Sequence, residues 1–171
     1  PCHEMTEEEI RSTVNDFVEG AMRMQKAGVD GVVLHAAHGY LLCEFLSSYT
    51  NHRTDAYGGS IENRTRIVGE IIRGIREKCG DYPIIVRFSA DEYMREIGID
   101  SGMVLEDAIQ MAKLFEAYGV DAIDVSAGNY ETMNWAWEPS GFDEGWKMMN
   151  GETIAKAVDI PVIACSVIRN P

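Results

Sequence analysis

The sequence predicts an α/β fold with parallel strands: a (β/α)8-type TIM barrel, of which this chain covers about half. Three observations lead there. Four short runs rich in valine and isoleucine, Gly31–His35, Ile84–Ser89, Ala122–Ser126 and Val162–Cys165, read as strands covered on both faces. The segments between them carry apolar residues at helical spacing. Polar residues then fall at one place in each unit. His35, Arg87 with Ser89, Ser126 and Ser166 stand at or just beyond the C-terminal end of a run, the end at which barrels do their chemistry.

The elements follow in order. Thr6-Glu7-Glu8-Glu9 is a capping box, with Thr6 as N-cap and Glu9 reaching back. Behind it Ile10, Val14, Phe17, Val18, Ala21 and Met22 form one helical stripe, and Gly28 supplies the left-handed stop. A second helix runs from about Ser60, with Ile67, Val68, Ile71, Ile72 and Ile75 inward and Gly80 closing it. A third carries Val104, Ala108, Ile109, Ala112 and Phe115 before Gly119, and a short fourth spans about Glu152–Val158. The junctions repeat: AGVDGV at 27–32 echoes YGVDAI at 118–123, and DYPII at 81–85 echoes DIPVI at 159–163. Helix-then-strand units in series imply parallel strands joined by right-handed crossovers. A doubly wound sheet is the other such architecture, but no GxGxxG opens any helix. A whole barrel takes about 250 residues and eight strands; this chain offers four strands, so its open edges need covering.

Bulk properties narrow the function. The 171 residues favour one domain, residues 1–171, with 46% hydrophobic and 25% charged residues. A formal charge of −13, from 28 acidic and 15 basic side chains, repels phosphate backbones and anionic lipid, which disfavours nucleic acid and membrane as partners. There is neither a bilayer-length apolar run nor a signal peptide. Cys2, Cys43, Cys79 and Cys165 are scattered without a CxxC pair, as in a reduced cytoplasmic protein, and no metal site is expected. The chain begins at a proline and ends at Asn170-Pro171 directly after a strand-like run, so it reads as a piece of something longer.

The chemistry concentrates in LHAAHGYLL, residues 34–42. His35 and His38 follow a strand, so they belong to a loop at the barrel mouth. There they are equally suited to holding a carbonyl oxygen or to ordinary burial against backbone. Tyr40 follows Gly39; a phenol with an ordinary pKa near 10 suits a proton donor, although a tyrosine before Leu41-Leu42 more often packs a core. Arg87 ends the buried run IIVRFS and needs an anionic partner, either Asp124 on the next strand or a bound cofactor. The segment 51–66, NHRTDAYGGSIENRTR, reads as a structural loop ending at a helix cap near Ser60. Trp135, Trp137, Phe142 and Trp146 suit a pocket wall for a flat ligand, packing within their own loop, or a subunit contact.

HAAHGYLL, then FLSS, NxRTDxYGGSxENR and VRFS, closely resemble the Old Yellow Enzyme family, in its dienoyl-CoA reductase and enoate reductase branch. The resemblance runs from the helix at Thr6 to Pro171 and is densest over Gly28–Arg66. It implies an FMN-binding barrel, here strands four to seven, reduced by NADH or NADPH and reducing the activated C=C bond of an unsaturated carbonyl compound. By that resemblance His35 and His38 bind the substrate's carbonyl oxygen, Tyr40 protonates its α-carbon, and Arg87 contacts the flavin's N1–C2=O edge. Two positions depart from the pattern. Where the dienoyl-CoA reductases carry a second catalytic acid, a histidine, this chain has Tyr130, a substrate-binding residue and further donor. Where many relatives place a glycine and an arginine near the flavin phosphate, Ser166 and Val167 stand, so only backbone N–H groups serve there. An iron–sulfur cluster, where branch members carry one, lies beyond Pro171. Two alternatives stand beside this reading. One is a desaturase or amine dehydrogenase of the same family. The other is a half-barrel that cannot hold FMN alone and associates with a second copy or with the rest of the barrel.

Overall fold

A computed structural model describes residues 3–169; Cys2 and the terminal Asn170-Pro171 lie outside the described residues. The chain alternates helix and strand as expected. Helix α1 (Glu7–Lys26) precedes β1 (Val32–Ala36), and α2 (Leu41–Leu46), α3 (Ile61–Arg64) and α4 (Arg66–Cys79) precede β2 (Ile84–Ser89). A 3-10 turn at Met94–Ile97 and α5 (Leu105–Tyr118) lead to β3 (Ala122–Ser126). Then α6 (Met133–Ala136) and α7 (Met148–Ala155) lead to β4 (Val162–Ala164). The sheet order is β1-β2-β3-β4, and every pair is parallel.

The capping box forms in full. The Glu9 N–H donates to Thr6 Oγ1 at 3.2 Å and the Thr6 N–H donates to Glu9 Oε2 at 2.7 Å. These bonds hold the Glu9 carboxyl down at a pKa of about 2, the backbone bond from Thr6 contributing most. At Ser60 the hydroxyl caps α3 by accepting from the Asn63 N–H at 3.3 Å. Thr65, whose hydroxyl bonds back to the Ile61 carbonyl at 2.9 Å, then separates α3 from α4. The single helix expected from Ser60 is therefore two. The fourth expected helix starts earlier, at Met148 rather than near Glu152. Its N-terminus has no side-chain cap, so no residue type marks the start.

One layer of helices covers one face of the sheet. Leu34, Ala36, Ile84, Val86, Phe88, Ile123 and Val125 point into it and are essentially sealed from solvent beside Ile67, Ile71, Ile75, Met111 and Phe115. Phe88 meets Phe115 edge to face at 5.4 Å, a favoured aromatic geometry. The other face corrects the expectation of strands covered on both sides. Val33 is 54% exposed and Ile163 45%, because side chains alternate along a strand and no helix among the described residues covers them on the concave side.

Candidate functional site

The site grows from the strand register. His35, Arg87, Asp124 and Ile163 are partners in one row across the four strands, so their side chains share the concave face. Arg87 Nε stands 3.5 Å from Asp124 Oδ2. Arg87 Nε and Asp124 Oδ1 are both buried without a hydrogen-bond partner. A sealed donor and a sealed acceptor within one ion pair, neither of them hydrogen-bonded, mark a place that a polar group would complete.

Two residues further along, Ser89 and Ser126 are partners on β2 and β3 and again face the concave side. They seize the loop after β1. The His38 N–H donates to Ser89 Oγ at 3.2 Å, while Ser89 donates onward to the Gly128 carbonyl at 2.8 Å. The His38 ring meets Ser126 Oγ through Nε2 at 2.7 Å. His38 and Gly39 both adopt left-handed backbone, at φ +63° and +78°. This reversal turns the chain from strand into helix and leaves Tyr40 as the N-cap of α2. At residue 39 only glycine suits, since a Cβ there would come within 2.7 Å of Tyr130 Cδ2.

Four rings gather at this turn. Those of His35 and His38 lie 5.2 Å apart, His35 and Tyr40 5.3 Å, and Tyr40 and Tyr130 5.6 Å, the last pair edge to face. His38 is buried, whereas Tyr40 is 45% exposed and Tyr130 53%. The hydrogen bond with Tyr40 is the largest cause raising the Tyr130 phenol above its ordinary range. Burial, reinforced by the Arg87 cation, lowers both histidines, His38 to about 4. At neutral pH the pair is therefore uncharged, and each ring donates from one nitrogen. The Ser126 hydroxyl occupies Nε2 of His38, so this ring meets a ligand through Nδ1. Two such rings beside a phenol hold a carbonyl oxygen and offer a proton nearby.

The matching family model covers residues 1–171 and is described as NADH:flavin oxidoreductase / NADH oxidase. The chain belongs to this family. It is 48% identical over 169 residues to an NADH oxidase of Thermoanaerobacter brockii, covering 98% of this chain and 25% of that protein. It is 36% identical over 181 residues to a cinnamate reductase of Clostridium sporogenes, covering 99% of this chain and 27% of that protein. Among solved structures, a 2-naphthoyl-CoA reductase in complex with 2-naphthoyl-CoA superposes with a TM-score of 0.90 at 32% identity, over 99% of this chain and 25% of that one. The chain thus spans about a quarter of the length of these proteins. The Old Yellow Enzyme resemblance and the barrel segment read from the sequence both stand.

The other residues singled out in the sequence fall as follows. Ser166 and Val167 sit just past β4 against the loop before α7. The Val167 carbonyl accepts from the Gly145 N–H at 3.0 Å and Ser166 Oγ accepts from the Lys147 N–H at 3.5 Å. The segment 51–66 is held by its own bonds. Asn51 Nδ2 donates to the Phe45 and Tyr57 carbonyls at 2.7 and 2.8 Å, and Arg53 pairs with Asp55. Of the aromatic loop, Trp135 and Trp146 pack on Tyr93 at 6.3 and 5.4 Å and Phe142 packs on Trp146 at 4.8 Å. Trp137 is 65% exposed. Three of the four rings thus build the loop itself. Sequence reasoning missed the buried pair beneath them, Lys147 Nζ to Glu138 Oε1 at 2.6 Å. The pair is near enough to act on His38, where Lys147 lowers the pKa and Glu138 raises it. Nothing in the spacing of 138 and 147 announces it.

No helix among the described residues is long and apolar enough to cross a membrane.

Proposed function

We propose that this chain forms the substrate-activating wall of an FMN-dependent ene-reductase. NADH or NADPH is the reductant, and the substrate is an α,β-unsaturated carbonyl compound. The observation that carries the reading is the cluster of two neutral, converging histidines beside the Tyr40 phenol. An enone carbonyl is an uncharged acceptor that such donors hold, and they stabilise the negative charge that builds there as a hydride arrives. Tyr40 holds the proton for the α-carbon, and the half-exposed Tyr130 lines the substrate side. A cationic amine suits the site less, because histidine N–H groups are donors and an ammonium needs acceptors.

FMN fits the row below. Arg87 Nε and Asp124 Oδ1, neither of them hydrogen-bonded, are a donor and an acceptor, and the pyrimidine edge of a flavin offers the complementary acceptors and an N–H. Ser166 and Val167 would meet its phosphate through their backbone N–H groups. When bound, FMN supplies the hydride. The exposed Val33 and Ile163 support further (β/α) units, in keeping with the length of the relatives, as the cover of the concave face.

The test is the flavin spectrum of FMN-loaded protein and its two half-reactions. Bleaching by NADH or NADPH and recovery with an enone are expected. Tyr40→Phe should slow the recovery about 100-fold or more and leave the bleaching unchanged. Equal loss of both steps, or recovery with trimethylamine-type substrates only, would overturn the reading.

A further inference from the structure

We infer that Glu92 is a positioning residue whose buried side chain and backbone together lock the turn carrying Tyr130 to the helix carrying Tyr40, fixing how the two phenols meet. The inference rests on the ene-reductase reading only for what the phenols do; the geometry stands without it. Glu92 is 1% exposed and forms no ion pair among the described residues. Its carboxyl group collects donors from two places. Ser47, the C-cap of α2, donates its hydroxyl to Oε2 at 2.5 Å, and Cys43 within α2 points its thiol at Oε1 from 3.6 Å. The Met103 N–H donates to Oε2 at 2.8 Å. Room for this is made at Gly102, where a Cβ would press to 2.8 Å from Oε2.

The backbone of the same residue reaches the other way. The Glu92 carbonyl accepts from the Thr132 hydroxyl at 2.7 Å, and one residue earlier the Asp91 carbonyl accepts from the Gly128 N–H at 2.8 Å. Thr132 closes the turn on itself, its Oγ1 accepting from the Asn129 N–H at 2.9 Å while Asn129 Oδ1 accepts from the Glu131 N–H at 3.0 Å. Tyr130 stands at the tip of that turn, and Tyr40 at the start of α2. Two exposed rings on separate loops would otherwise wander. One sealed residue that bonds to both supports removes that freedom. Three donors converging on one group also explain the residue type. An ionised carboxyl is acceptor only, whereas an amide at this place turns an N–H toward one of the donors.

The test reads the two rings directly, with no flavin or substrate present. In protein carrying 13C-labelled tyrosine, the Tyr40–Tyr130 ring cross-peak is compared among wild type, Glu92→Gln, Glu92→Ala and Thr132→Val, with circular dichroism confirming the fold. Glu92→Ala should lose the cross-peak and return the Tyr130 phenol toward the ordinary tyrosine range, and Glu92→Gln, which sets an N–H against one of the donors, should fall between it and wild type. Thr132→Val, which spares the carboxyl group but cuts the turn from the Glu92 carbonyl, should weaken the cross-peak and serves where Glu92→Ala does not fold. In FMN-loaded protein, misplacing the phenols should slow enone-dependent reoxidation on the order of tenfold to a hundredfold, with flavin reduction unchanged. A folded Glu92→Ala or Thr132→Val protein with the wild-type cross-peak overturns the inference. Loss of the cross-peak alongside a normal enone step overturns instead the role given to the phenols.

Discussion

Acidification should weaken this fold through one ring. Folded, His38 stays neutral down to a pH of about 4, because it is buried and stands beside the Arg87 cation. Unfolded, it takes a proton near 6.5. A base whose folded pKa is depressed has its full stabilisation above the unfolded value and loses it as pH falls toward the folded one. Each pH unit in that window costs about 1.4 kcal/mol, so between pH 6.5 and 4 this single group removes about 3 kcal/mol. His35 is lowered for the same reasons and adds in the same direction. The comparison to make is His38→Asn, since asparagine tolerates the left-handed backbone at this position. Urea unfolding followed by circular dichroism at pH 7, 6, 5 and 4 gives stability against pH for both proteins. The variant begins less stable at pH 7, having lost ring contacts, but its curve should fall less steeply, so that the gap closes by about 3 kcal/mol at pH 4. Other titrating groups act on both proteins and cancel. Parallel curves would show that His38 is charged in the fold at neutral pH or is solvated there, and the neutral-donor reading of the site would fall with it.

Two further outcomes follow from contacts at the same turn. Gly39→Ala places a methyl group 2.7 Å from the Tyr130 ring at a φ of +78°. It should cost about 1–2 kcal/mol in thermal melts and change the near-ultraviolet circular dichroism of the tyrosines. Lys147→Met leaves the partly buried Glu138 without its cation, with only the Trp146 N–H still donating to it, and should cost about 2–3 kcal/mol. The double variant Lys147→Met/Glu138→Leu should recover much of the loss in the same melts.

The strands and the three longer helices were legible because burial imposes a period. Ile67, Val68, Ile71, Ile72 and Ile75 all prove sealed, and the run IIVRFS is β2 residue for residue. The elements that escaped are those whose formation depends on distant partners. The helix α2 is six residues long, too short to show a period, and follows a turn that exists because Ser89 and Ser126 hold His38. The same division runs through the site. His35, His38, Tyr40 and Arg87 were recognisable as residue types at strand ends. The part played by Glu92 was not, because its three donors come from positions 43, 47 and 103, and spacing along the chain carries no sign of that convergence. The aromatic loop misled in part, since tryptophans that wall a pocket and tryptophans that pack on Tyr93 look alike in a sequence.

The row His35–Arg87–Asp124–Ile163 makes the site self-checking during folding. Neighbouring residues on each strand face opposite sides, so a slip of one residue between β1 and β2 would bring His35 opposite Val86 or Phe88 instead of Arg87. The same slip would drive Arg87 toward the helices or pull Phe88 out into solvent, and the core would not close. A chain that has buried its isoleucines correctly has therefore already aligned the groups on the concave face. Misassembled forms fail by losing stability, and the fold is proofread by hydrophobic burial before any ligand arrives.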